Sequence, residues 1–227
     1  MLSILPFFKT HDFFKGINGY AVMFYPVVGF LLGTILYLIS IMLEPYMPQQ
    51  HLGIIIFGMW VLLTGALHLD GFCDTIDGLF VPKEKALKVM KDAHIGGMGM
   101  IFGGIFLILK ASSMSHFESF YLLPFILMLS RFNATLAIYI YPYISKGGIG
   151  EMAKAEFGKN QLIFISVLVL SLGMLTSITM LITSLLVLFV SAMFFKSRYG
   201  GFSGDMYGFV IELSELLLLN SVIVGLR

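Results

Sequence analysis

Charged side chains are scarce in this chain: Asp, Glu, Lys and Arg make up 12% of its 227 residues, whereas soluble domains carry about 25%. The single cysteine excludes a disulfide scaffold. A net charge of +1 lacks the basic excess expected of a nucleic-acid-binding protein. Hydrophobic residues make up 58% of the chain, which excludes a disordered polypeptide. The composition therefore predicts an all-α integral membrane protein surrounded by lipid, without a nucleic-acid partner.

Long apolar runs divide the chain into spans. A bilayer core about 30 Å thick requires about 20 apolar residues per helix. Such runs lie at residues 20–43, 52–69, 98–111, 120–141 and 206–226, and residues 162–195 are long enough for two spans that separate near residues 176–179. We expect a polytopic bundle of about seven transmembrane helices, with six or eight as alternatives, that forms one membrane-embedded domain over residues 1–227.

Basic residues fall mainly on one side of these spans, which the positive-inside rule makes cytoplasmic. Eleven of the fourteen lie in alternate connections: Lys9, Lys15, Lys83, Lys85, Lys88, Lys91, Lys146, Lys154, Lys159, Lys196 and Arg198. The exceptions are Lys110, Arg131 and Arg227. The N-terminus is therefore predicted to be cytoplasmic. Five Asp residues collect at the same ends of the spans, which predicts a functional site on that side: Asp70, Asp74, Asp77, Asp92 and Asp205.

Three of these acids follow one another at helical spacing. Asp70, Asp74 and Asp77 project from one face of a helix, because residues three and four apart are neighbours on its surface. Three carboxylates within two turns repel one another, and a divalent cation relieves that repulsion. Oxygen-only ligands favour Mg²⁺. The alternative is a solvated helix end whose acids balance nearby lysines. His68 lies opposite the acidic face on an ideal helical wheel.

Glycine runs accompany two further groups of polar residues. Asp92 and His94 precede Gly96, which opens a span, and backbone N–H groups at a helix start can hold an anion. The alternative is that these glycines allow close helix packing. A second loop, residues 200–204, leads into Asp205, and Gly201, Ser203 and Gly204 belong to it. A third glycine-rich segment, residues 146–150, is either a phosphate-binding loop or a plain connection.

Charged residues inside the spans require partners. Glu212 and Glu215 are expected to face the bundle interior, because a carboxylate is costly in lipid. Arg131 lies at a similar depth when about 1.5 Å per residue is counted from the cytoplasmic ends. We therefore predict an ion pair between Arg131 and Glu215 or Glu212, or a contact of Arg131 with a substrate phosphate.

The position of the acids indicates a reaction class. A cytoplasmic acidic cluster beside glycine loops is typical of metal-assisted phosphoryl or nucleotidyl transfer. An ion-coupled transporter is the alternative, since intramembrane acids also relay ions. The clustering of the acids at one end of the spans favours an enzyme.

Several motifs, in order along the chain, resemble those of the cobalamin synthase family, the adenosylcobinamide-GDP ribazoletransferases. The matching stretches are residues 24–29, 64–71, 72–78, 90–92, 95–96, 130–131, 148–150 and 200–205, with Glu212 and Glu215. Three positions depart from the family pattern. Ala66 replaces a glycine, Cys73 replaces an alanine, and His94 replaces an arginine, which puts a proposed phosphate contact in question.

The resemblance implies the joining of adenosylcobinamide-GDP to α-ribazole, or to its 5′-phosphate, with release of GMP and a requirement for Mg²⁺. On the matched positions the expected metal ligands are Asp70, Asp74, Asp77 and Asp205, and the expected catalytic acids are these four with Asp92. The expected substrate-binding residues are His68, His94, Gly96, Arg131, Gly201, Ser203, Gly204 and Glu212. The resemblance also implies a multi-pass protein of the bacterial inner membrane whose site faces the cytoplasm; a homo-oligomer is left open. A CDP-alcohol phosphotransferase is the alternative enzyme.

Overall fold

The computed structural model describes residues 16–92, 94–145 and 149–225. These residues form ten α-helices: α1 (Ile17–Leu43), α2 (Gln49–Thr64), α3 (Leu67–Leu79), α4 (Lys83–Met90), α5 (Gly97–Ser115), α6 (Leu123–Ile140), α7 (Ile149–Glu156), α8 (Lys159–Thr176), α9 (Ile178–Tyr199) and α10 (Gly204–Gly225). The predicted all-α class is confirmed. Lys9, Lys15, Lys146, Gly147, Gly148 and Arg227, which the sequence singles out, lie outside the described residues.

Within the described part of the chain, six helices are long and apolar enough to cross a membrane, and a bent helix pair brings the number to seven if it counts as one span. The six are Ile17–Tyr46, Gly97–Ser115, Phe120–Ile140, Lys159–Thr176, Ile178–Tyr199 and Gly204–Gly225. The predicted division of residues 162–195 is confirmed. It falls at Ser177, whose hydroxyl accepts a hydrogen bond from the backbone N–H of Met180 at 3.3 Å and caps α9.

The predicted span at residues 52–69 is not one straight helix, and the prediction is wrong from residue 65 onwards. α2 ends at Thr64, and α3 leaves it at an angle of 84°. The two linking residues, Gly65 and Ala66, both have left-handed backbone conformations, with φ of 58° and 55°. Glycine adopts this conformation without strain, whereas alanine does not. The acidic residues therefore belong to a separate helix that begins at Leu67.

Helix α6 forms the centre of the bundle and packs against α1, α8, α9 and α10. Leu127, Phe132 and Ala134 on this helix are almost completely buried. Asn133, which is fully buried, donates from Nδ2 to the carbonyl of Ser184 at 2.9 Å and to the hydroxyl of Ser214 at 2.8 Å. These contacts join α6 to α9 and α10 in the interior, where backbone and side-chain polar groups need protein partners.

One end of the bundle gathers the basic connections. Arg198, at the end of α9, donates from Nη2 to the carbonyl of Leu79 at the end of α3, at 2.9 Å. Lys154 of α7 donates to the carbonyl of Tyr139 near the end of α6. The carboxylate of Glu156 accepts from the backbone N–H of Asn18 at the start of α1, at 2.9 Å. Polar side chains of separate connections therefore bind helix ends on the side that the sequence predicts to be cytoplasmic.

Candidate functional site

The acidic site lies where α3 and α10 cross, and its members are Asp70, Asp74 and Asp205. The helices approach closely because a glycine on each faces the other's backbone. A Cβ atom on Gly71 would lie 2.9 Å from the carbonyl oxygen of Asp205, and one on Gly208 would lie 2.9 Å from the carbonyl oxygen of His68. This crossing brings Asp205 beside the acids of α3, as the sequence predicts.

The three carboxylates act on one another electrostatically. Among charged groups, Asp70 has the largest electrostatic effect on Asp74, followed by Asp205 and then Asp77. Within residues 16–92, 94–145 and 149–225, no three or more His, Cys, Asp and Glu side chains converge closely enough to enclose a metal ion by themselves. Mg²⁺ is commonly held by one or two carboxylates together with water and substrate phosphate oxygens. The oxygen donors of Asp70 and Asp74, one helical turn apart, fit that kind of site.

Asp77 has a different position from the other acids. Its Oδ2 accepts from the backbone N–H of Gly96 at 2.7 Å, and its Oδ1 accepts from that of Gly99 at 2.8 Å. A Cβ atom on Gly96 would lie 2.4 Å from Asp77 Oδ1, so the capping contact requires glycine there. The start of α5 does hold an anion, but in this structure that anion is the protein's own carboxylate. Gly96 is thus placed to bind Asp77, not the substrate for which the sequence analysis proposed it.

A central cavity of about 290 Å³ lies beside the acidic site. Its lining residues come from α1, α3, α6, α7 and α10: Tyr25, Leu67, His68, Asp70, Gly71, Arg131, Ile138, Ile149, Gly150, Ala153, Gly204, Asp205, Tyr207, Gly208 and Ile211. Three of these residues carry a buried polar atom without a hydrogen-bond partner in the described structure: His68 at Nδ1, Arg131 at Nη2 and Tyr207 at its hydroxyl. Because unpaired buried polar groups are costly, the cavity is suited to a ligand with several hydrogen-bonding groups.

The position of His68 corrects the helical-wheel expectation. His68 lines the same cavity as Asp70, although the two residues lie on nearly opposite sides of an ideal helix. Both belong to the first turn of α3, and the cavity extends around that helix start. Tyr25 and Tyr207 also line the cavity, although neither was predicted from the sequence as a site residue. Isolated tyrosines in apolar spans carry no spacing signal that separates them from packing residues.

A buried network of four charged side chains lies behind the cavity. Arg131 donates from Nη1 to Glu215 Oε1, so the predicted ion pair is confirmed. Lys110 donates from Nζ to Glu212 Oε2 at 2.6 Å and to Glu215 Oε2 at 2.5 Å. Glu212, expected to bind substrate, is thereby engaged by a lysine and does not line the cavity. Lys110, which the sequence singles out only as an exception to the positive-inside pattern, is the second cation of this network.

The loop before α10 positions Asp205. Phe202 donates its backbone N–H to the carbonyl of Pro142 at 2.9 Å, which fixes the loop to the segment after α6. Gly201 is buried there, and a Cβ atom on it would lie 2.2 Å from the same carbonyl oxygen. Ser203 is 1% exposed, and its hydroxyl lies 3.4 Å from Asp205 Oδ2. Gly201 and Ser203 therefore help to position Asp205 without lining the cavity, whereas Gly204 does line it.

Asp92 and His94 lie apart from the central cavity. The side chain of His94 is 92% exposed, and its Nδ1 lies 2.8 Å from Asp92 Oδ1. This hydrogen bond holds the pKa of the Asp92 carboxyl below its usual value. Asp92 lines a second opening, the basic cleft, together with Lys88 and Lys91. The structure therefore does not bring Asp92 into the lining that Asp70 and Asp205 share.

Known proteins resemble this chain over almost its whole length. A family model described as cobalamin-5-phosphate synthase matches residues 1–223. A relative from Thermosynechococcus vestitus, named adenosylcobinamide-GDP ribazoletransferase, is 35% identical over 208 residues, which are 88% of this chain and 84% of the relative. Relatives of the same name from Desulfitobacterium hafniense and Acinetobacter baumannii are 31% and 32% identical, over 86% and 92% of this chain and 83% and 87% of their own lengths. No solved structure matches the chain. The chain belongs to the cobalamin-5-phosphate synthase family.

Proposed function

We propose that this protein is an Mg²⁺-dependent transferase that joins adenosylcobinamide-GDP to α-ribazole, or to its 5′-phosphate, with release of GMP. The relatives' shared name supports the reaction. The convergence of Asp70, Asp74 and Asp205 beside a cavity with three unpaired polar atoms is the observation that carries the assignment to a site. The basic residues at that end of the bundle support a cytoplasmic site in the bacterial inner membrane.

Each acid of the acidic site has a role that follows from its position. Asp70 and Asp74 would hold Mg²⁺ together with water and phosphate oxygens of the substrate. The ion would neutralise charge on the diphosphate oxygens of the substrate. Asp205 lines the central cavity and is supported by Ser203, so its carboxylate is placed to accept the proton of an acceptor hydroxyl that enters from that side.

The bond changes follow from the two substrates. A ribose hydroxyl of the acceptor, free in both α-ribazole and its 5′-phosphate, loses its proton and forms a bond to the phosphorus that carries the cobinamide group, while the bond from that phosphorus to the bridging oxygen breaks. GMP leaves with the bonding electron pair. Displacement of this kind requires the attacking and leaving oxygens roughly in line, so the protein contributes chiefly by positioning and by charge stabilisation.

The central cavity suits the acceptor nucleoside. Apolar walls from Ile138 and Ile211 can contact its base, and the unpaired atoms of His68, Arg131 and Tyr207 can bind its heteroatoms. Removing the hydroxyl in Tyr207→Phe is expected to raise the KM for α-ribazole by about 3- to 10-fold while kcat changes less, because one neutral hydrogen bond contributes about 0.5–1.5 kcal/mol.

The assay for the proposed function is GMP release by the purified protein from adenosylcobinamide-GDP and α-ribazole. We expect turnover with Mg²⁺, none with EDTA, and at least a hundredfold loss of kcat in Asp74→Asn. Absence of GMP release under all of these conditions would reject the proposal. Ion-driven flux in liposomes without GMP release would support the transporter alternative, and release of CMP from a CDP-alcohol would support the phosphotransferase alternative.

A further inference from the structure

The basic cleft, lined by Lys88, Lys91 and Asp92 at the end of α4 and by the turn at Ile144 and Ser145, has no role in the assignments above. Its volume is about 550 Å³, and both lysines are largely exposed to solvent. The central cavity differs in character, because tyrosines and aliphatic side chains make up almost half of its lining residues and no lysine belongs to them. Two openings of different chemistry therefore lie at the same end of the bundle.

Contacts between α4 and the loop before α10 bring the basic cleft next to the acidic site. Met90 packs against Gly78, on which a Cβ atom would lie 2.2 Å from the methionine methyl carbon. Its sulfur lies 3.9 Å from the hydroxyl of Ser203, and that hydroxyl lies 3.4 Å from Asp205 Oδ2. Lys91 follows Met90 and acts electrostatically on Asp205.

The opposite wall of the basic cleft is attached to the same loop. Ile144 donates its backbone N–H to the carbonyl of Phe202 at 2.9 Å, and Tyr143 forms a parallel bridge with Phe202. Asp205, which follows three residues later, lines the central cavity. Asp205 thus lines the central cavity and is also within electrostatic range of Lys91 in the basic cleft.

We propose that the basic cleft is the subsite for the leaving nucleotide, and that Lys88 and Lys91 bind the phosphate of a nucleoside monophosphate. The inference rests on the proposed function, since that function supplies an acceptor and a leaving group. In-line displacement puts these two on opposite sides of the phosphorus. With the acceptor in the central cavity, the basic cleft beside α4, whose Lys91 acts electrostatically on Asp205, is the opening left for the GMP portion.

Charge supports the same arrangement. A phosphate monoester such as GMP carries about −1.5 to −2 charges at pH 7, and ammonium groups near the leaving oxygen stabilise the charge that develops there. Asp92 also faces the basic cleft, where its Oδ1 is engaged by the backbone N–H of His94 at 3.1 Å and by His94 Nδ1 at 2.8 Å. The two lysines outnumber this one carboxylate in the cleft lining.

The test compares two double variants of one helix. In Lys88→Gln/Lys91→Gln the affinity for GMP is expected to fall about tenfold, because two partly solvated charge-assisted contacts are lost. GMP binding is measured directly by calorimetry in EDTA and as product inhibition during turnover, and the KM for α-ribazole is expected to stay within twofold. The matched control, Lys83→Gln/Lys85→Gln, removes the same charge from exposed positions of α4 outside the cleft. Its GMP affinity is expected to stay within twofold of wild type.

A third variant tests whether the positive charge at these two positions is what binds GMP. Lys88→Arg/Lys91→Arg keeps both positive charges and is expected to keep GMP binding within threefold of wild type. Equal GMP affinities in the two glutamine variants would overturn the inference, as would a loss confined to α-ribazole. Failure of the wild-type protein to release GMP would reject the proposed function instead. Direct measurement of GMP binding in EDTA would still test the role of the basic cleft in that case.

Discussion

The glycine contact between α3 and α10 gives a sharp test of the acidic site. In Gly71→Ala the added Cβ would lie 2.9 Å from the carbonyl oxygen and 3.1 Å from the Cα of Asp205. Both are backbone atoms, which cannot rotate away, and ordinary contacts begin near 3.4 Å. The start of α10 must therefore move by about 0.5 Å relative to α3.

The size of the effect follows from this displacement. A misplacement of about 1 Å can reduce turnover by about 100-fold, so half of that distance predicts about a tenfold loss of kcat, or about 1.4 kcal/mol. Stability should change less. Overpacking lowers the free energy of unfolding by about 1–3 kcal/mol, and replacing a helical glycine by alanine raises it by about 1 kcal/mol.

The matched control is Gly104→Ala on α5, where an added Cβ meets nothing within 4 Å. This variant receives the same helix-propensity gain and should keep wild-type turnover. GMP release gives kcat, and thermal unfolding in detergent gives the stability of each variant. Equal kcat values for Gly71→Ala and Gly104→Ala would refute the claim that the α3–α10 approach sets the geometry of the acidic site.

Other variants test the supporting structure. Lys110→Met leaves buried Glu212 without its cation and should destabilise the protein by about 3–5 kcal/mol, whereas adding Glu212→Gln should recover part of the melting temperature; no recovery would contradict the pairing. Ala66→Gly should raise stability by up to about 1 kcal/mol in thermal unfolding, because position 66 has φ of 55°, and a lower melting temperature would contradict this. Asp77→Asn should lower stability by about 1 kcal/mol through the weakened cap of α5, while Asp74→Asn should abolish turnover without that loss; the reverse pattern would exchange their roles.

Features that follow from counting residues along the chain were predictable from the sequence. The division near Ser177 follows from an apolar run too long for one span, interrupted by a residue that caps helices. The pairing of Arg131 with Glu215 follows from their similar depth and from the cost of a lone charge in lipid. In both cases a count along the chain carries the needed information.

Features that depend on the direction of one helix relative to another were not predictable in this way. The depth of a residue in the membrane does not tell which side of its helix faces a neighbour. The partners of Lys110 therefore follow only from the packing of α5 against α10. The 84° bend at Gly65–Ala66 leaves the hydropathy of the span unchanged. Asp77 and Gly96 are 19 residues apart, and their contact exists only because α3 and α5 pack together. A single sequence specifies each of these helices more clearly than it specifies their rotation.

We interpret the buried charge network as a means of fixing the side chain of Arg131 in the wall of the central cavity. Lys110 and Arg131 balance Glu212 and Glu215, and each of these residues is at most 7% exposed. Buried ion pairs seldom stabilise a protein more than apolar residues of the same size, so stability alone does not explain four of them. Glu215 holds Arg131 through Nη1 and leaves Nη2 without a partner where the residue lines the cavity. The network therefore fixes a charged donor in place before any ligand arrives, and a donor held rigid in a site with little water loses less free energy to reorganisation when it binds an anion.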